Sequence, residues 1–562
     1  MAAASLVVTA CAAASAHASV KRQASRHGGT LVIALAPQAN INWYFPYRNN
    51  ANDTIYNGTA IGLMYAPLLY IDDHYNIAYK YSLASKVTYN ANGTVYHVFL
   101  KKSDRWSNGT PITSTDAQFG WDVLLATSAK NVPAPWPNSQ LGNGGLPQNA
   151  KSFTINSPTE FTITLKKPVN QLWFIYNGLD GLAVLPHQAW DKYPTDMAKE
   201  IAYLGKNATN PHFDSVVSGP FMMQSATQNQ SWVFVPNPNF NGHKPYVSRL
   251  ILQYEGSDAS EFAALKTGEV QIGYLPTADY AARSQLPDHL YVQYPFDFGF
   301  TWLNMNPTAQ NGVNKIFDNL YIRQAMQMGI NQAAMISAAF HGFGAPQYGP
   351  IPQNPRTIFF DPALAKPLYP FNPTKGRKIL EQHGWHEVGG VMTKGSARMQ
   401  FTMDYPSGSV SWQYVAELVQ EGWAKEGIKV TLKSMPIGSE IGLVGSPNKW
   451  QVATGIYWYY GGTYPSGEQM FYKDQSFDHQ GWNNAQENHL IQLTEAPAPS
   501  KQASLTRLFN YEVYTSKNLA DLWMPNEAGL TEVANNVHGY TLYTADPVTG
   551  GSLPQYWWVS KS

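Results

Sequence analysis

The stretch from Ser411 to Leu432 holds the feature that most constrains this chain, a helix signal that runs directly into a strand signal. Ser411 is placed to cap a helix whose Val415, Leu418, Val419 and Trp423 recur on one face, and Gly427 ends it. Ile428, Val430 and Leu432 then alternate as a half-buried strand does. Residues 259–274 repeat the pair, and Asn372-Pro373 sets a cap and a first-turn Pro before a helix over 374–383 that Gly384 closes. Further strands are read at Thr30 to Ala34, at Val95 to Leu100, and at Phe161, Ile163 and Leu165. An amphipathic helix beside a strand must bury its stripe on the sheet. The chain is therefore predicted to form α/β layers with largely parallel pairing. At 562 residues it exceeds one hydrophobic core, which implies two or three structural units.

Charge narrows the partners. Lys plus Arg and Asp plus Glu both number 38, with no basic run, so nothing attracts a phosphate backbone and nucleic acid is not expected. Charged residues make up 14%, against roughly 25% in ordinary soluble proteins, so the surface is polar but sparsely charged.

Residues 1–18, MAAASLVVTACAAASAHA, form an apolar stretch too short to span a bilayer and similar to the core of a secretory signal. The only Cys, Cys11, lies inside it, and Val8-Thr9-Ala10-Cys11 resembles the lipobox of bacterial lipoproteins. That resemblance implies Cys11 as a lipid anchor on the outer face of the membrane. The alternative is cleavage after Ala16-His17-Ala18, which discards Cys11 and leaves a free secreted or periplasmic protein. No Lys or Arg precedes the apolar stretch, which leaves the true start open. The segment 19–29 reads as a tether.

Three segments resemble one family. Residues 96–121, YHVFLKKSDRWSNGTPITSTDAQFGW, are similar to a strand, a Ser-Asn-Gly-Thr-Pro turn and a helix found in the extracytoplasmic solute-binding proteins of ABC importers, family 5, the oligopeptide and dipeptide group. Residues 218–246 resemble that family's Gly-Pro-aromatic strand and Asn-Pro turn, and 318–344 its paired helices. Each also has a structural reading: Asn108-Gly109 is a turn, Gly219-Pro220 a strand entry and Gly342 a helix stop. The resemblance implies a bilobed α/β fold of the periplasmic-binding-protein type II, with an extra subdomain and two lobes joined by a hinge. Its expected division is 1–27 as signal and tether, 28–60 with 170–295 and 523–562 as lobe I, 61–169 as the extra subdomain, and 296–522 as lobe II. A ligand between the lobes would favour the closed form. The implied partners are a permease in the membrane and, indirectly, an ATPase, with the chain itself a monomer.

The run GIYWYYGGTYPS, residues 455–466, is the best candidate for a ligand wall. In the family a Trp followed three residues later by Asp faces the cleft, and in peptide binders that Asp holds the ammonium group. Trp458 matches the Trp, but Gly461 stands where the Asp would be. A buried ammonium needs a carboxylate, so another acid must meet it, Asp404 being one substitute, or the ligand has no ammonium. Peptides and oligosaccharides both remain open, the first held by backbone hydrogen bonds, the second by stacking on aromatic rings. The expected ligand residues are Trp458, Tyr459, Tyr460 and Gly461, with Trp43, Tyr44, Ser218 and Gly219 from the opposite lobe. The competing reading places alternate aromatic residues of such a strand in the core.

An enzyme is the remaining class. No Gly-x-Ser-x-Gly elbow occurs, and the resemblance carries no catalytic residues, so a secreted hydrolase is disfavoured. No cofactor or metal is expected, His383, His386 and His341 reading as capping or surface residues. Gln271, Gln451, Gly461 and Asn488 stand where family members often carry Asp. Fewer carboxylates that must stay ionised suggests an acidic medium.

Overall fold

The computed structural model describes residues 27–560 apart from 73–75, 130, 140, 214, 287–288, 294–295, 307–313, 447–448, 461–463, 474–481 and 541–552. Local signals set most elements where the sequence places them. The helix Pro373–Gln382 begins at Asn372, whose side chain accepts from Lys375 N, and Gly384 leaves it at φ +83°. The helix Asp258–Thr267 is followed by the strand Ile272–Tyr274.

One boundary is corrected. The helix expected to start at Ser411 spans Val410–Ala424 and is capped by Ser409, whose hydroxyl accepts from Trp412 N. Ser411 is buried in the first turn and bonds elsewhere. Two serines at adjacent offsets carry the same local signal, and tertiary packing decides between them.

Three sheets organise the chain. The first has seven strands, in spatial order His289–Gln293, Leu530–Ala534, Ile272–Tyr274, Thr30–Ala34, Arg249–Gln253, Ser231–Pro236 and Phe221–Thr227. The second has four, in order Gly299–Met305, Val452–Tyr459, Gln400–Pro406 and Lys429–Met435. The third is an antiparallel sheet of Ala84–Tyr89, Val95–Leu100, Glu160–Leu165 and Ala150–Ser157. It is tied to the first lobe, where Ser107 N donates to Val217 O and Tyr47 Oη to Gly120 O.

Largely parallel pairing is also corrected. Parallel pairs form only part of each lobe sheet: Thr30–Ala34 with Arg249–Gln253 and Ile272–Tyr274 in the middle of the first, and Gln400–Pro406 with Val452–Tyr459 and the edge strand Lys429–Met435 in the second. Hairpins such as Phe221–Thr227 with Ser231–Pro236 add antiparallel flanks. Helix–strand alternation reveals crossovers but not the edge strands added beside them.

The chain passes from the first sheet to the second between Gln293 and Gly299, and returns after Asp521, which still bridges Asn304 of the second sheet. These two crossings join the two lobes. In both lobes the parallel strands point their carboxyl ends at the other lobe, where open α/β sheets place their ligands.

Candidate functional site: the seam between the lobes

The aromatic run ends the strand Val452–Tyr459 at this seam. Gly455 is held at φ +85°, and a Cβ there would lie 2.5 Å from Pro406, so only Gly lets the two strands meet this closely. Beyond it the side chains alternate. Tyr457 and Tyr459 share one face, their rings 4.6 Å apart, and Tyr457 Oη donates to Asp297 O at 2.7 Å. Asp297 lies in the crossing between the sheets and is half-buried. Tyr459 reaches the Asp297 carboxylate and Tyr56 of the first lobe. Burial, then the Asp297 charge, hold the Tyr459 hydroxyl well above its ordinary pKa.

Trp458 and Tyr460 occupy the other face. The Tyr460 hydroxyl donates to Pro350 O at 2.7 Å, and its ring lies 5.1 Å from Phe298. Trp458 lines a cavity of about 10 Å³ together with Asn177, Tyr464 and Glu468. That is room for about one water molecule.

Hydrogen bonds cross the seam here in number. Asn177 of the first lobe accepts from Tyr464 N at 3.1 Å and donates to Tyr464 O and to Glu468 Oε1, each at 2.9 Å. Glu468 Oε1 also accepts from Gly144 N at 3.2 Å, and Oε2 from the Trp173 indole N–H. Asn170 donates to Thr494 O and Ser504 Oγ, both at 3.0 Å. Desolvation raises the Glu468 carboxyl above its ordinary value, although the donors Asn177, Gly144, Trp173 and Ser466 all favour its ionised form.

At the opposite edge Ser407 Oγ donates to Gln38 Oε1 at 3.0 Å, and Val410 N to Asp258 Oδ2 at 3.1 Å. Thr277 of the first lobe lies 3.1 Å from Ser411 of the second and donates to Glu527 Oε1 at 2.6 Å. Glu527 sits on the return crossing, and burial lifts its carboxyl to about 7. The lobes are therefore in contact along both edges.

The residues expected from the first lobe have other places. Trp43 is 1% exposed and donates its indole N–H to Phe45 O and Tyr47 O. Tyr44 is 3% exposed, donates to Ile41 O and accepts from Trp232 Nε1. Ser218 Oγ accepts from Ala66 N, and Gly219 N donates to Met64 O, with no space for a Cβ. Gly461 and Cys11 lie outside the described residues. Asp404 pairs in register with Ala453, several residues from the seam, and is buried toward Glu440 of the helix Ile437–Val444. The seam thus gathers Trp458, Tyr459 and Tyr460 with Tyr56, Asn177, Asp297 and Glu468, four residues no sequence motif marks. Nothing in the sequence near Glu468 or Asn177 distinguishes them, because they come together only across a contact between distant segments.

His383 closes the helix Pro373–Gln382, stacks 3.8 Å from Tyr321 and bonds Ile379 O. Among the described residues no group of three or more His, Cys, Asp or Glu could hold a metal ion. No described helix is long and apolar enough to cross a membrane.

Comparison with known proteins places this architecture. The oligopeptide-binding protein AppA of Bacillus subtilis is 22% identical over 569 aligned positions, covering 99% of this chain and 97% of that protein. The glutathione-binding protein GsiB of Salmonella typhimurium is 24% identical, covering 81% of this chain and 79% of its own. Among solved structures, AppA from Bacillus subtilis in complex with a nonapeptide superimposes with a TM-score of 0.81 at 19% identity, covering 96% of this chain and 100% of that one. DppA from Helicobacter pylori in complex with the peptide STSA gives 0.77 at 18% identity, covering 96% of this chain and 99% of that one. The family model of bacterial extracellular solute-binding proteins, family 5, matches residues 78–481, and the chain belongs to that family.

Proposed function

We propose that this protein captures oligopeptides between its lobes and hands them to the permease of an ABC importer, whose ATPase supplies the energy. The observation that carries the peptide reading is Asp297. It is a half-buried residue on the crossing between the sheets, its backbone carbonyl bonded by Tyr457 and its carboxylate reached by Tyr459, which itself lies near Tyr56 of the other lobe. A desolvated ammonium needs such a partner, and Asp297 offers one where Gly461 does not. The peptide-binding relatives support the same ligand class.

The hydroxyls along the seam weigh against a sugar. Tyr457, Tyr460 and Tyr464 direct theirs to Asp297 O, Pro350 O and Ser504 Oγ. Few remain for the hydroxyl rim of a pyranose ring. Ligand contact falls in this reading to Trp458, Tyr459, Tyr460 and Gly461. Trp43, Tyr44, Ser218 and Gly219 support the first lobe behind them. Lobe II then comprises the segment between the crossings, near 296–522, and the chain acts outside the cytoplasm, held by lipid on Cys11. Intact-mass measurement of membrane-extracted protein tests that anchor: a mass beginning at an acylated Cys11 is expected, and one beginning at Ser19 would contradict it.

Titration calorimetry with matched peptides tests the ammonium site. Asp297→Asn is expected to lower affinity for free N-termini by roughly tenfold to a thousandfold, as for a buried charge left unpaired, and to leave N-acetylated peptides unaffected. An equal loss for both would remove Asp297 from that role. Trp458→Ala is expected to weaken both alike.

A further inference from the structure

Each edge of the seam carries a glutamate that joins one lobe to the other. Glu468, on the loop after the strand Val452–Tyr459, is 5% exposed and takes its hydrogen bonds from Gly144, Trp173 and Asn177 of the first lobe. Glu527 lies on the return crossing, and Thr277 of the first lobe and Ser411 of the second both bond it. Opening would return both carboxyls to water, since their partners lie on separate bodies.

We propose that lobe closure, and with it solute capture, takes up a proton at each of Glu468 and Glu527. The capture half of this rests on the function proposed above. Burial and the charges around each group set the direction. Glu468 faces Glu495, at the end of the helix Ala485–Glu495, and a proton must sit between these two carboxylates for both to remain buried. Lys167 is the cation that acts on Glu495, and Arg507 acts on the neighbouring Tyr464. Around Glu527 the facing groups are Asp258 and Tyr274, with Asp279 acting on Asp258 and Glu261 on Tyr274, and His341 the neighbour of Asp279. Asp258 reinforces burial at Glu527, whereas at Glu468 burial alone raises the carboxyl, and Glu468 in turn raises Glu495.

In water a glutamate titrates near about 4.3, whereas in the closed form burial lifts Glu527 to about 7 and holds the Glu468–Glu495 pair above the usual range. The folded value is raised, so the contribution to closure is complete below the ordinary value and is lost as pH rises through about 7. Closure is thus strengthened by acid over the window between them.

The test uses the full chain carrying Cys11→Ser, with fluorophores on Lys151→Cys and Lys378→Cys, one exposed position on each lobe. Transfer efficiency reports closure against pH without peptide. Calorimetry with a pool of short synthetic peptides, in buffers of different ionisation enthalpy, counts protons taken up on binding. The closed-to-open ratio is expected to rise about tenfold per glutamate between about pH 7 and pH 5.5. Glu468→Gln and Glu527→Gln should each remove one step and one proton. If Glu468→Gln does not fold, Glu527→Gln and the wild-type proton count decide. Wild-type profiles retained in the Gln variants, or binding without proton uptake, would overturn the proposal. If no peptide binds but transfer still follows pH through these glutamates, coupling of closure stands and the peptide reading fails.

Discussion

The melting temperature is expected to rise as the pH falls from 8 toward 5, and to hold to about pH 4, where ordinary proteins are losing stability. The cause is a set of carboxyls that the fold prefers neutral. Glu426 and Glu440 are fully buried with neither oxygen hydrogen-bonded, and burial pushes both well above the usual range. Glu261, Glu495 and Glu512 are shifted the same way, again by burial first. Each raised value favours folding at low pH and opposes it as pH climbs past that value. Glu468, which shares its site with Glu495, follows the same trend: burial raises its folded value, so its contribution is lost as pH climbs. Amides remove the opposite term. Gln271 Oε1 accepts from Val32 N, Gln451 Oε1 from Thr402 N and Asn488 Oδ1 from Lys473 N. A carboxylate in those places would see its bond weaken on protonation, as its charge is lost, whereas an amide oxygen is indifferent to pH. Calorimetric melts from pH 3 to 8 check this, with Glu426→Gln expected to flatten the alkaline fall. A maximum near pH 7 with steady loss below pH 6 would refute it.

Gly422→Ala is expected to destabilise the second lobe by about 3 kcal/mol or more, at the top of the range for overpacking. Gly422 lies on the buried face of the helix Val410–Ala424, and a Cβ there would stand 1.9 Å from the carbonyl oxygen of Gly329. That oxygen is backbone, and the Gly329 N–H closes the helix Leu320–Met328 by donating to Ala325 O and Met326 O, so relief requires the two helices to part. Trp423, whose indole N–H donates to Met326 O at 2.8 Å, would lose its bond in the same movement. Gly438→Ala is the control. It is exposed in the helix Ile437–Val444 with nothing near its Cβ position, and should gain about 0.5–1 kcal/mol from helix propensity alone. Denaturant unfolding of both variants separates close contact from propensity.

These cases show what could be read from the sequence. Asn372-Pro373 and Gly384 speak through bonds within a few residues, so the helix between them was legible. The same holds for the alternation at Phe161, Ile163 and Leu165. Ser409 and Ser411 divide capping from bridging through contacts with Thr277 and Glu527, which no local pattern encodes. The aromatic run was visible as composition, and its alternation separates Tyr457 with Tyr459 from Trp458 with Tyr460. Trp43 and Tyr44 looked equally suited to a ligand, yet neighbouring carbonyls and Trp232 take their polar atoms. Asn177 and Glu468 belong to segments joined only by the contact of two lobes, and Asp297 meets Tyr457 and Tyr459 through the pairing of strands distant in sequence. Their role is a property of tertiary structure.

Thermal-shift screening of the purified protein against short peptides, the same peptides N-acetylated, and oligosaccharides is the most direct test of the central claim. A ligand that binds only the folded form raises the melting temperature with its concentration relative to Kd. Stabilisation by peptides with a free ammonium group, lost on acetylation and absent with sugars, is the predicted result. Stabilisation by oligosaccharides alone would contradict peptide capture and reassign the aromatic wall around Trp458 to carbohydrate.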